Sequence, residues 1–171
     1  MRKINTSLWK GFKIGDLFTV VKGKRLTKAD MKEGNINFIG ASAENNGITA
    51  KIANDEYLHK GGTITVNYNG SVGEAFYQEE PFWASDDVNV LYPKFSLTKN
   101  IAMFFIPILK SKGRNYAFVN KWTKDEMEKD IIYLPVGNNG SPDYDYMENY
   151  INELVSSVIS SLDALECTEE Q

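Results

Sequence analysis

SPDYDYMENYINELVSSVISSLDALE, residues 141–166, predicts a long amphipathic helix near the end of the chain, over about 142–166. Ser141 suits the N-cap, Pro142 the first helical position, and Asp143 the positive end of the helix. Apolar residues then recur at steps of three and four, close to a heptad. The apolar seam comprises Tyr144, Met147, Ile151, Leu154, Val155, Val158, Leu162 and Leu165.

The length of this helix raises the question of what its seam contacts. A helix of about 25 residues is roughly 37 Å long, which is more than a domain of this size needs. We therefore expect the seam to pack against a partner helix, as in a coiled coil. The alternative is a long amphipathic helix that lies on its own domain.

The composition is that of a folded protein with one domain. The chain has 171 residues, of which 42% are hydrophobic and 12% aromatic, so it can bury a substantial core. No apolar run approaches the roughly 20 residues that a membrane span requires, and the N-terminus lacks the apolar core of a signal peptide. Cys167 is the only cysteine, which excludes an internal disulfide. We expect a cytoplasmic protein with no membrane contact.

The net charge of −4 conceals a strong segregation of charge along the chain. Residues 1–28 contain eight Lys and Arg against one acidic residue, and residues 94–130 contain eight against four. Acidic residues prevail in 29–93 and, without any basic residue, in 131–171. Two basic segments far apart in sequence can converge into one positive face that binds nucleic acid. The alternative is ordinary clustering of charge on solvated loops.

Periodicity and turn signals predict an α+β fold: a single strand-rich globular domain followed by the long C-terminal amphipathic helix. The predicted strands, mostly in an antiparallel sheet, are 19–21, 35–40, 63–66, 74–77, 82–84, 87–92 and 131–136. The predicted shorter helices are 15–18, 28–31, 97–109 and 124–130. Residues 97–109 are apolar on nearly every side, so we expect a buried helix that bends or ends near Pro107.

The sequence contains no arrangement of residues typical of catalysis. His59 is the only histidine and Cys167 lies in a polar tail, so no Cys–His pair is indicated. Gly23-Lys24 resembles the end of a phosphate-binding loop but lacks the earlier Gly and the following Ser or Thr. Asp86-Asp87 could be a nuclease metal pair, although a turn before a strand is the simpler interpretation. We expect a non-catalytic protein without metal or cofactor.

Binding chemistry is better represented. Lys and Arg neutralise phosphates and release counterions, and Arg, Asn and Gln have the geometry that reads guanine or adenine. Such residues occur in two basic stretches and in Gly-containing turns. The second stretch also contains Tyr116 and Trp122, which we expect to lie in the core rather than to stack on bases. The candidate DNA-binding residues are Lys22, Lys24, Arg25, Lys28, Asn45, Asn46, Asn69, Ser71, Lys110, Lys112, Arg114, Asn115, Tyr116, Asn120 and Lys121.

An ordered series of short motifs extends over about residues 8–165. The motifs are FKIGDLF (12–18), GKRL (23–26), IGAS (39–42), NNGI (45–48), ITVN (64–67), GSVG (70–73), VNVL (88–91), IYLPV (132–136) and GSPDY (140–144). Their order and spacing resemble a target recognition domain of the DNA specificity subunits of type I restriction–modification systems and the related BcgI-like subunits. The last motif and the long helix resemble the start of that family's spacer helix.

The resemblance implies a non-catalytic module that reads a half-site in double-stranded DNA. A partner methyltransferase, and an endonuclease subunit where one is present, would perform the chemistry, and S-adenosylmethionine would bind the partner. The resemblance also implies a target recognition domain over 1–137 and a spacer or dimerisation helix with a polar tail over 138–171. Full specificity subunits have two recognition domains and two antiparallel spacer helices, whereas one of each is seen here. We therefore expect a half-subunit that forms a homodimer through its C-terminal helix, or a fragment.

Two other functions remain open from the sequence alone. The acidic segment 131–171 suggests a protein-interaction or anti-restriction module that uses the same fold to bind restriction–modification subunits. A stand-alone nuclease that uses Asp86-Asp87 is the third possibility.

Overall fold

The computed structural model describes residues 4–117 and 119–169, and their fold is α+β, as the sequence predicts. The strands are β1 (Lys10–Lys13), β2 (Phe18–Lys22), β3 (Glu33–Ile39), β4 (Ile48–Ile52), β5 (Thr63–Asn67), β6 (Ala75–Gln78), β7 (Phe82–Ala84), β8 (Val88–Pro93) and β9 (Ile131–Leu134). The helices are α1 (Ile14–Leu17), α2 (Lys99–Gly113), α3 (Lys124–Lys129) and α4 (Tyr144–Glu169). Within the described residues the strands form a four-stranded sheet, a three-stranded sheet and the β1–β9 pair.

The four-stranded sheet has the order β2-β8-β5-β6 and is antiparallel throughout. Along each strand, successive side chains point to opposite faces of the sheet, so every second side chain lies on the same face. Val20, Ile64 and Leu91 on one face are fully buried and belong to the same apolar cluster as Phe105 of α2. The main core of the domain therefore lies between this sheet and α2.

The strand β3 is the centre of the three-stranded sheet, pairing antiparallel with β4 and parallel with β7. The sequence predicts one mostly antiparallel sheet and no strand at Ile48–Ile52, so the structure differs on both points. β4 follows the 3-10 turn Asn45–Gly47, in which all three residues have positive φ. Asn and Gly tolerate this left-handed backbone, and the reversal it produces places β4 beside β3.

The helix α2 begins at a side-chain cap, because the Thr98 hydroxyl accepts a hydrogen bond from the Ile101 amide at 3.1 Å. It continues past Pro107 to Gly113, whereas the sequence predicts a bend or an end near the proline. Leu109 lies beyond the proline and is fully buried. Burial of this turn offsets the backbone hydrogen bond that proline removes, so the helix persists.

The shorter helices are predicted with mixed success. Thr123 caps α3, its hydroxyl accepting from the Glu126 amide at 3.5 Å, as the capping-box spacing predicts. The predicted helix at 28–31 is wrong, because the segment forms only a turn. The Thr27 hydroxyl donates to the Asp30 carboxylate, so it does not cap a helix.

The long helix α4 begins at Tyr144 and ends at Glu169. Asp143 caps it, since its carboxylate accepts a hydrogen bond from the Tyr146 amide at 2.9 Å. The predicted cap, Ser141, lies two residues earlier and its amide donates to Asn139 Oδ1 at 3.0 Å. Across residues 4–117 and 119–169, we find no helix with both the length and the apolar character needed to span a membrane.

Candidate functional site

The two basic segments predicted from the sequence both contact the loop of residues 68–73, which follows β5. The Lys22 ammonium, at the end of β2, lies 5.2 Å from the centre of the Tyr68 ring. Gly113, at the end of α2, packs on Gly73 so closely that a Cβ on Gly73 would lie 2.7 Å from the Gly113 Cα. Gly73 also has a φ of +85°, which favours glycine. The fold thus brings two segments far apart in sequence together at one loop.

The first basic segment is fixed to the sheet by its backbone. The Lys24 amide donates to the Ala84 carbonyl at 2.8 Å, and the Trp83 indole donates to the Lys24 carbonyl at 2.7 Å. The Lys24 ammonium lies 5.0 Å from the centre of the Tyr57 ring. The exposed basic side chains between residues 22 and 28 of this segment are Lys22, Lys24, Arg25 and Lys28. Because they are exposed on a fixed backbone, they can contact phosphates.

A polar cluster of four side chains lies beside this segment. Its members are Arg25, Asn69, Asp86 and Asp87. The Arg25 guanidinium lies 3.5 Å from the Asp86 carboxylate, and Asn69 Nδ2 donates to Asp87 Oδ1 at 2.7 Å. The sequence predicts Arg25 and Asn69 as DNA-binding residues but gives no reason to group them with the two aspartates.

Asp86 forms an ion pair with Arg25, and Asp87 accepts a hydrogen bond from Asn69, so both carboxylates interact with side chains of the domain itself. Within the described ranges, no group of three or more His, Cys, Asp or Glu side chains is placed to hold a metal ion. The pKa of Lys22 is raised above its usual value, mainly by a hydrogen bond with Tyr68 and further by the two carboxylates. These carboxylates therefore interact with the neighbouring cations.

Much of the second basic segment is engaged inside the domain. Lys112 Nζ lies 2.8 Å from Asp130 Oδ1. Asp130 Oδ2 accepts hydrogen bonds from the Tyr116 hydroxyl and the Trp122 indole at 2.7 and 2.8 Å. Burial, and then the contact with Asp130, raise the pKa of Tyr116 to about 12. Trp122 is fully buried, so this group of side chains holds the end of α2 to the start of β9.

The remaining candidate residues differ in exposure. The Lys110 ammonium lies 2.7 Å from the Glu74 carboxylate and 4.9 Å from the centre of the Phe76 ring. Asn45 and Asn46 are exposed, although their carboxamides donate to backbone carbonyls and so also hold the turn before β4. Ser71 is partly exposed in the 68–73 loop. The exposed DNA-binding candidates in the second basic segment are Arg114, Asn115, Asn120 and Lys121.

The structure divides the predicted helical seam near Leu154. Met147 and Ile151 are buried in the domain core, and Tyr144 stacks on Phe95 with ring centres 4.3 Å apart. Beyond Leu154, four apolar residues are each 46% to 54% exposed. These four, which we call the distal stripe, are Val155, Val158, Ile159 and Leu162. The first half of the seam therefore packs on its own domain, and the second half is accessible to a partner.

Comparison with known proteins identifies the family. Residues 6–164 match the family model of the type I restriction modification DNA specificity domain. The chain belongs to this family. The specificity subunit of the type II restriction enzyme BgcI from Heyndrickxia coagulans is 38% identical to this specificity domain over 160 residues, which cover 93% of the chain and 47% of that protein. The chain thus spans about half the length of this relative.

Solved structures share the fold of this specificity domain. The S subunit of a type I restriction–modification system from M. genitalium matches with a TM-score of 0.61 and 17% identity, over 95% of this chain and 44% of that one. The HsdS subunit from Thermoanaerobacter tengcongensis matches with a TM-score of 0.64 and 14% identity, over 95% and 41%. At these identities the likeness concerns the fold alone. The family match confirms the resemblance seen in the sequence.

Proposed function

We propose that this specificity domain recognises a short sequence in double-stranded DNA and directs a partner methyltransferase, and an endonuclease subunit where one is present, to that sequence. The observation that supports this function is the meeting of two basic segments at the 68–73 loop, in a member of a DNA specificity family. In this proposal the partner subunits perform all catalysis in the cytoplasm, so the chain itself needs no metal or cofactor.

The proposed DNA-binding surface is centred on the first basic segment and the 68–73 loop. Lys110, Lys112 and Tyr116 are proposed to hold this surface in place rather than to contact DNA, because each already contacts Glu74 or Asp130. The residues proposed to face DNA are Lys22, Lys24, Arg25, Lys28, Asn45, Asn46, Asn69, Ser71, Arg114, Asn115, Asn120 and Lys121.

The proposal includes a homodimer formed through α4. Residues 1–137 would then form the target recognition domain, and residues 138–171 the spacer helix with its polar tail. Two copies would read two identical half-sites at a fixed distance. The exposed distal stripe supports this arrangement, since four large apolar side chains on one helix are unfavourable in water unless they are covered.

Salt-dependent DNA binding tests the function. We expect the affinity of the full chain for a duplex, measured by fluorescence anisotropy with and without the methyltransferase, to fall steeply with salt. Changing Lys22, Lys24 and Arg25 to Gln should each reduce the slope of log affinity against log salt by about 0.9, because each removes one phosphate contact. Lys99 is the first residue of α2, whereas the 68–73 loop contacts the last. Lys99→Gln is therefore the control and should leave the slope unchanged.

Two results would contradict the proposal. The first is an absence of salt-sensitive DNA binding by the chain alone and with its methyltransferase at low ionic strength. The second is inhibition of restriction subunits without any preference for DNA, which would favour the protein-interaction or anti-restriction function instead.

A further inference from the structure

The polar cluster places two carboxylates within the surface that we propose to bind DNA. Asp86 and Asp87 lie beside Lys22 and Arg25, the residues best placed to contact phosphates. A carboxylate repels a phosphate, so a surface that only gripped the DNA backbone would be weakened by both aspartates. Their position calls for a different role in the complex.

Several polar groups at this end of the sheet lack a hydrogen-bond partner. Asn69 Oδ1 is buried and forms no hydrogen bond with the described residues, and neither does the carboxamide of the fully buried Asn89. Asn89 pairs in register with Lys22, so the two side chains share one face of the sheet. Buried polar groups are normally paired. At this end of the sheet, therefore, the carboxamides of Asn69 and Asn89 include donor and acceptor atoms that the described residues leave unpaired.

The carboxylate of Asp87 has a free acceptor position. Among the described residues, Asn69 alone donates a hydrogen bond to it, and it does so to Oδ1. Asp87 is partly exposed, so a donor from outside the protein can approach the residue, and Oδ2 is the carboxylate oxygen that Asn69 leaves unpaired. In the major groove the donors that a carboxylate can accept from are the exocyclic amino groups, N4 of cytosine and N6 of adenine.

We propose that the polar cluster reads a base edge, with Asp87 accepting a hydrogen bond from the exocyclic amino group of an adenine or a cytosine. Asn69 orients the Asp87 carboxylate through the 2.7 Å hydrogen bond, and Arg25 and Lys22 balance the negative charge next to the phosphates. Asp87 is thus a specificity-determining residue. This inference rests on the proposed function, because it requires that the surface bind DNA.

The alternative role for Asp87 is to neutralise neighbouring cations without contacting a base. The two roles predict different effects of Asp87→Asn, which keeps an oxygen to accept from Asn69 but removes the charge. Loss of a purely repulsive charge strengthens binding to every sequence equally. Loss of a base-reading acceptor lowers the ratio of specific to non-specific affinity.

The test uses the full chain and a duplex pool with a randomised central region. Wild-type protein first selects its preferred sequence, and each adenine or cytosine in that sequence is then replaced by an analogue that lacks the amino group. We expect one replacement to weaken wild-type binding by about 5- to 100-fold and to leave the affinity of Asp87→Asn unchanged. Asp125→Asn on α3, which removes the same charge elsewhere, should respond as wild type does.

The outcomes distinguish a failure of the base-reading role of Asp87 from a failure of the DNA-binding function. If wild-type protein selects a sequence but every amino-group deletion affects Asp87→Asn as strongly as wild type, the base-reading role is wrong and the DNA-binding function stands. If wild-type protein selects no sequence from the pool, either alone or together with its methyltransferase, both proposals are wrong. Thermal unfolding of each variant checks that the folded state is retained.

Discussion

His59 is a buried ionisable side chain outside the proposed DNA-binding surface. Its ring stacks on Phe82 with centres 5.4 Å apart, and Nδ1 lies 2.9 Å from the Tyr92 hydroxyl. The backbone of His59 exchanges two hydrogen bonds with Phe82. These contacts join the loop before β5 to β7 and β8, which is a structural role.

Burial lowers the pKa of His59 below its usual 6.5, and this predicts a pH dependence of stability. The folded state favours the neutral ring, so the stabilisation is complete above about pH 6.5 and is lost as the pH falls through the folded pKa. We expect the free energy of unfolding, measured by urea denaturation, to decrease in wild type as the pH falls below about 6.5, and to change less in His59→Gln.

The histidine titration can be assigned without ambiguity, because the sequence contains one histidine. An NMR titration of the imidazole resonances gives its pKa directly. A pKa at or above 6.5, or an equal loss of stability in His59→Gln, would contradict the prediction.

At the scale of secondary structure elements, the contact between the end of α2 and the 68–73 loop sets where the loop lies. A Cβ on Gly113 would come within 2.3 Å of the Gly73 Cα, so Gly113→Ala must displace the loop or the helix end. We expect a loss of about 1–3 kcal/mol in the free energy of unfolding, despite the higher helix propensity of Ala, and weaker DNA binding. Urea denaturation and anisotropy measure the two effects.

Gly137→Ala is the matched control for this prediction. The nearest atom to a Cβ at Gly137 is Asn139 Oδ1 at 3.4 Å, an ordinary contact. This variant should therefore keep both the stability and the DNA affinity of wild type. Unchanged stability and unchanged affinity in Gly113→Ala would show that the contact does not position the loop.

Local sequence patterns predict which helices and strands are present better than they predict where a helix ends or which side chains form pairs. The Thr123 cap, the strand alternation and the clustering of basic residues are encoded locally, and the sequence indicates them, whereas the Thr98 cap falls inside the predicted helix and is seen only in the structure. The extension of α2 beyond Pro107 depends on burial of Leu109 by residues far away in sequence, so no local signal reveals it. The ion pair of Lys112 with Asp130 is equally non-local, so no local signal distinguishes Lys112 from the exposed cations near it in sequence.

At the scale of the whole molecule, the charge distribution affects how two copies can pair. Residues 131–171 contain eight acidic and no basic residues, so two α4 helices cannot form salt bridges along their seam with each other. Apolar contacts between distal stripes must hold such a dimer, against repulsion between acidic helices. Added salt screens this repulsion, so it should strengthen the dimer while it weakens DNA binding.

Charge placed on the distal stripe tests the dimer directly. We expect light scattering to report a dimer for wild type and a folded monomer for Val158→Glu and Leu162→Glu, because a buried unpaired carboxylate is strongly unfavourable. Leu154 is a less clean site, since it is already partly covered by its own domain. Ser160→Glu lies on the opposite side of the helix by its spacing and should remain dimeric. A monomeric wild type, or dimers of both stripe variants, would mean that α4 does not pair two copies.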